Sequence, residues 1–223
     1  MKPAKRLYFV DFDRTVFRTS EHFKDFCEVV KEKFNIDVDE LAKHERDMTQ
    51  NPGVYSPLDD LRYSGHSDDL IDRINSTVRE ELVERKKDYL YDDVMEFFTT
   101  QRSRGNHVVL ITVGTHEYQE HKRILVPALI NLPMIITREP KGRVIKEKLG
   151  VYEDQVALNY HGALYEADKA ILIDDRAGTF DKEMPKTDRL ELYRMVRGDS
   201  PYDETTPEGV KEITSLTELD EPS

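Results

Sequence analysis

The chain has 223 residues, 33 lysines and arginines against 45 aspartates and glutamates, and a formal charge of -12. That length suits one domain with an insertion, or two small domains, and is ample for a buried core. The acidic balance argues against broad nucleic-acid binding and against an anionic membrane surface, because both call for a cationic face. The charge is uneven: residues 198–223 carry a net -7, residues 18–90 a net -6, and the remainder +1. Cys27 is the single cysteine, so an internal disulfide is excluded and a reducing compartment fits. The start, Met1 to Arg6, leads into only four apolar residues, too few for a signal peptide. The longest uncharged run, Ile124 to Thr137, holds two prolines and is shorter than the roughly 20 residues that span a bilayer. The expectation is a soluble, cytoplasmic protein.

In chain order, Leu7-Tyr8-Phe9-Val10 is an apolar run that suits a buried parallel strand and leads directly into Asp11-Phe12-Asp13-Arg14-Thr15. Phe23, Phe26, Cys27, Val30 and Phe34 recur at helical spacing behind Thr19 or Ser20 as a cap. Residues 51–66 contain Pro52, Gly53, Pro57 and Gly65 and read as loop. Leu70, Ile71, Ile74, Val78 and Leu82 form a second helical stripe, capped by Ser67. A helix begins near Val94 and stops near Gly105. Val108–Ile111, Met134–Ile136 and Ala170–Ile173 repeat the strand signature, and Leu190–Val196 offers one more strand. Leu216 to Leu219 suggest one helical turn. Strands separated by helices predict a doubly wound α/β fold, a three-layer Rossmann-like parallel sheet with ligands at the carboxyl ends of the strands. The stretch 17–89 has helical periodicity, no convincing strand and more length than a single crossover needs, so it is an inserted helical module.

The chemistry gathers at the strand ends. Asp11 and Asp13, two apart, point the same way in extended backbone and repel unless a cation or shared proton lies between them. A hard, oxygen-seeking ion such as Mg²⁺ suits them. Asp174 and Asp175 follow another strand and would converge on the same spot. Asp11 could then act as nucleophile and Asp13 as acid and base, with Thr112 and Lys141 gripping phosphoryl oxygens.

Asp11-Phe12-Asp13-Arg14-Thr15-Val16-Phe17 resembles the first motif of the haloacid dehalogenase superfamily. Thr112 after Val108–Ile111 is similar to its second motif, Lys141-Gly142-Arg143-Val144-Ile145 to its third, and Asp174-Asp175 to its fourth. A lone Asp-x-Asp is weak; four ordered motifs on strand ends are strong. The resemblance covers Leu7 to Asp175. It implies a core of residues 1–16 and 90–198, a helical cap over 17–89 of the type that closes on the site and helps to select substrate, and an acidic C-terminal tail over 199–223. It also implies a Mg²⁺-dependent phosphoric monoester hydrolase working through an aspartyl-phosphate on Asp11. Asp13 would be the acid/base, Thr112 and Lys141 phosphoryl-binding residues, and Asp174 and Asp175 metal ligands, with Asp11 and the Asp13 carbonyl completing the set. Thr15, Val113 and Arg18 are candidates for substrate contact. The stretch from Lys141 to Asp174 is long for the family, so Lys169 and Lys146 stand as alternatives to Lys141. Halide loss needs no acid at Asp13, which disfavours the dehalogenase branch.

The implied partner is a small phosphorylated metabolite or nucleotide; oligomeric state is open. A non-catalytic phospho-ligand or protein-binding module and a phosphotransferase are the rival readings. His116 and His121, five apart, miss helical ligand spacing and read as surface residues, Cys27 reads as cap-helix packing, and the acidic tail reads as a solubility feature. Tyr55, Arg62 and Tyr63 read as ordinary loop residues that could reach a site.

Overall fold

A computed structural model of the chain describes residues 5–50 and 54–220. Strand β1 (Arg6–Asp11) opens the fold, and helices α1 (Thr19–Phe34), α2 (Asp39–Gln50), α3 (Pro57–Tyr63), α4 (Asp68–Glu84) and α5 (Val94–Ser103) follow. Next come β2 (His107–Val113), α6 (His116–Ile124), β3 (Met134–Thr137), α7 (Lys141–Lys148), β4 (Leu149–Val151), β5 (Val156–Tyr160) and β6 (Ala163–Ala167). The chain ends with β7 (Lys169–Asp174), β8 (Leu190–Met195) and β9 (Lys211–Ile213), and a 3-10 turn at Leu216–Asp220. Two compact units result: residues 1–17, 91–113 and 132–223, and residues 18–90 with 114–131.

The first unit is an α/β fold. Its six-stranded sheet has the order β3-β2-β1-β7-β8-β9, and every pairing is parallel. From Leu7 to Asp11, β1 is buried residue after residue, as expected of a strand covered on both faces. The same holds for Ala170–Asp174 of β7. Because β1 lies between β2 and β7, the chain order reverses on either side of it, and such a switch point opens a crevice at the strand carboxyl ends.

A second sheet, antiparallel β4-β5-β6, occupies the long stretch between α7 and β7. The hairpin joining β5 to β6 turns on His161 and Gly162, at φ 50° and 80°. Two positive φ angles are what a type I′ turn requires. Leu149, Val156, Leu158 and Ala167 of this sheet share a core with Leu7, Phe9, Val109 and Leu172. The extra length after Lys141 is therefore an additional sheet, one side of which adds to the core.

The second unit is helical among its described residues. Part of the stretch 51–66, expected as loop, is helix α3. Ser56 caps it by accepting from the Asp59 amide at 3.3 Å, Pro57 stands in the first turn, and Asp59 and Asp60 favour its N-terminal end. Pro52 and Gly53 lie outside the described residues. At α1 the cap is Arg18, with no side-chain cap bond, and Thr19 is already helical. No helix among the described residues is long and apolar enough to cross a membrane.

Candidate active site

Four elements of the first unit carry the predicted site residues to one end of the sheet. Asp11 is the last residue of β1, and Thr112 lies one residue before the end of β2. Asp174 ends β7, and Lys141 opens α7. The loop after Asp11 is tight: the Val16 and Phe17 amides donate to the Phe12 carbonyl at 3.1 and 2.8 Å, and the Arg14 amide to the Phe17 carbonyl at 2.8 Å. Arg14 takes the left-handed conformation there, with φ 58°. The turn brings the Thr15 hydroxyl back on to Asp11 Oδ2 at 3.2 Å.

Lys141, buried, donates to Asp11 Oδ1 and to Asp174 Oδ2, the latter at 2.5 Å. The other Asp174 oxygen, Oδ1, accepts from the Arg176 amide and the Thr179 hydroxyl, each at 2.9 Å. Thr112 Oγ1 donates to Asp13 Oδ2 at 3.1 Å, and Asp13 is half-buried. Val113, half-buried, pairs with Thr137 in the sheet. Lys169, one alternative to Lys141, pairs instead with Glu191 at 2.8 Å. Arg18 lies in the second unit, where its Nε donates to the Leu90 carbonyl at 2.9 Å.

Carboxylate oxygens of Asp11, Asp174 and Asp175 all lie within 4.8 Å of one another, and all three residues are buried. One ammonium faces three carboxylates, so negative charge is in excess. Burial, with Asp174 and Asp13 adding to it and Lys141 opposing, pushes the Asp11 carboxyl up to about 7. Burial, Asp11 and Asp174 likewise hold the Asp175 carboxyl well above its usual range. Burial works against the Lys141 ammonium, yet Asp11 and Asp174 raise it above the ordinary lysine value. Asp175 Oδ2 is buried with no hydrogen-bond partner. Clustered carboxylates, one with an unsatisfied buried oxygen, are the donor set of a hard divalent cation such as Mg²⁺. The Asp13 carboxylate is not part of this cluster.

Sequence reasoning missed several supporting residues. Thr179 holds Asp174 from five residues ahead. Arg194, on β8 and in register with Asp174, donates Nε to the Asp175 carbonyl at 3.3 Å. Arg197 donates to the Thr15 carbonyl at 2.7 Å. The one local signal was the predicted strand Leu190–Val196, which carries Arg194. His121, read from sequence as a surface residue, is buried and bonded to His22; His116 is exposed. Arg62 belongs to α3 and is tied to Asp59, Asp68 and Glu117. Cys27 packs buried in α1, and burial pushes its thiol up to about 12.

No protein-family model and no curated relative matches the sequence. Solved structures do match in fold. A haloacid dehalogenase-like hydrolase from Burkholderia xenovorans LB400 aligns over 97% of this chain and 95% of its own, at 15% identity and a TM-score of 0.65. The HAD-hydrolase YfnB from Bacillus subtilis, bound to magnesium, aligns over 97% of each chain at 14% identity and a TM-score of 0.55. A HAD phosphatase from Thermococcus onnurineus covers 97% and 95% at 17% identity, with a TM-score of 0.55. The chain thus has the fold of haloacid dehalogenase-like hydrolases.

Proposed function

We propose that this chain is a Mg²⁺-dependent phosphatase acting on a small phosphate monoester. The observation that carries the reading is the convergence of Asp11, Lys141, Asp174 and Asp175 at the strand ends, with Asp13 two residues beyond Asp11. The fold shared with a magnesium-bound hydrolase and a phosphatase supports it.

Asp11, Asp174 and Asp175 would hold the ion, which supplies positive charge between an anionic nucleophile and an anionic phosphate. Asp11 attacks phosphorus, forming an aspartyl-phosphate as the bond to the leaving oxygen breaks. Thr15 and Lys141 orient the attacking carboxylate. Asp13 gives its proton to the leaving alkoxide, then takes one from the water that releases inorganic phosphate and restores Asp11. Thr112, bonded to Asp13, would turn its hydroxyl to a phosphoryl oxygen. An acid at Asp13 serves an alkoxide leaving group and has no use for a halide.

Hydrolysis of p-nitrophenyl phosphate with Mg²⁺, against EDTA, tests the reading. Activity should vanish with EDTA and fall at least about a thousand-fold in Asp11→Asn. Full activity in the variant would remove Asp11 as nucleophile. Phosphate binding without turnover across a panel of esters would favour a binding module.

A further inference from the structure

The segment after β8, expected to serve only solubility, is packed against the turn that carries Asp174 and Asp175. Glu204 accepts from Arg176 Nε at 3.1 Å with one carboxylate oxygen and from the Ala177 amide at 2.6 Å with the other. The Glu204 carbonyl accepts from Arg194, which also donates to Thr206 at 3.1 Å and to the Asp175 carbonyl at 3.3 Å. Arg194 is buried. The Tyr202 ring lies 4.0 Å from the Arg176 guanidinium, and its hydroxyl accepts from Arg14 Nη1 at 3.0 Å. The loops behind Asp13 and behind Asp175 are therefore both tied to residues 202–206.

Asp175 Oδ2 has no hydrogen bond to aim it, so its direction follows from the backbone that carries it. That backbone is held at the Asp175 carbonyl by Arg194 and at the Ala177 amide by Glu204. A surface ion pair alone contributes little. Here the same carboxylate also fixes a main-chain amide two residues from a proposed ligand, and partners of this kind set metal affinity by orienting the ligands.

We propose that Glu204 is a positioning residue for Asp174 and Asp175, so that the C-terminal segment sets the cation affinity of the site. The inference rests on the metal-dependent reading above. The test is calorimetric titration of MgCl₂ into the metal-free, full-length protein, comparing wild type, Glu204→Ala, Glu204→Gln and the exposed control Glu208→Gln. Circular dichroism and a metal-free melt establish that each is folded. Glu204→Ala should bind Mg²⁺ about tenfold more weakly, with Glu204→Gln in between and Glu208→Gln unchanged. The Mg²⁺ activation constant should rise in parallel, while KM for p-nitrophenyl phosphate at saturating Mg²⁺ stays constant. A folded Glu204→Ala that binds Mg²⁺ as wild type does overturns the proposal; should that variant not fold, the same result in Glu204→Gln overturns it. Wild-type protein that binds no Mg²⁺ overturns the metal-dependent reading and this inference with it.

Discussion

Lys141 shows how one side chain holds a charged site together. Its ammonium is buried between two carboxylates, with a third beside them. Deleting one member of a buried ion pair leaves the others uncompensated, which costs more than the pair contributes. Lys141→Ala should therefore destabilise the metal-free protein by about 3 kcal/mol, read from urea unfolding. A variant as stable as wild type would mean that the carboxylates are neutralised without the lysine. Glycine at 142 belongs to the same arrangement: a Cβ there would lie 3.0 Å from the Met184 backbone nitrogen, so a side chain at the start of α7 would require the neighbouring chain to give by a few tenths of an ångström.

At the scale of elements, α1, α4 and α6 share a buried polar chain. Tyr118 Oη lies 3.4 Å from His22 Nδ1, His22 Nε2 lies 3.2 Å from His121 Nε2, and His121 Nδ1 lies 2.6 Å from Asn75 Oδ1. One assignment satisfies every contact: Tyr118 donates to His22, His22 to His121, and His121 to Asn75. Each ring then carries a single proton and is neutral. A second proton on both rings would set two N–H donors face to face between His22 Nε2 and His121 Nε2. Burial, with Arg79 and Lys122 adding to it, lowers His121 to about 3. The unfolded chain takes up this proton near pH 6.5 and the folded chain does not, so the stability from His121 is complete above that pH and is lost as pH falls. Between pH 7.5 and 5.0, wild type should lose about 2 kcal/mol relative to His121→Gln in urea unfolding. Parallel pH profiles for the two proteins would refute the neutral pair.

For the molecule as a whole, the end of the chain completes the sheet. β9 pairs with β8, and Ile213, Leu216 and Leu219 are buried. Asp93 ties this end to the start of α5 by accepting from Arg197 at 2.8 Å, the Leu216 amide at 2.6 Å and the Ser215 hydroxyl at 2.9 Å. Three buried aliphatic side chains contribute on the order of 5 kcal/mol or more, comparable with the entire margin of many domains. A chain truncated after Gly198 should lose cooperative melting or melt far below the full-length protein by circular dichroism. A melting temperature within a few degrees of wild type would show that the segment is dispensable. The net -7 of residues 198–223 is thus borne partly by groups with structural partners, Glu204 and Glu218 among them.

The amino-acid sequence by itself determined what short-range patterns can encode. Continuous apolar runs marked β1, β2 and β7, because strands buried on both faces need no polar alternation. Helical spacing marked α1 and α4, and residues at strand ends marked Asp11, Asp13, Thr112 and Asp174. The β5–β6 hairpin had only a weak local sign, His161-Gly162 at its turn, because histidine is not the usual residue at positive φ. Which groups meet had no local sign. Lys141 is 130 positions from Asp11, His121 is 99 from His22, and Glu204 is 27 from the Ala177 amide that it holds. Whether a charged or polar group lies in water or in the core depends on the partner that meets it. The tertiary structure decided those partners, because burying such a group is tolerable only where the fold brings its complement within hydrogen-bond reach.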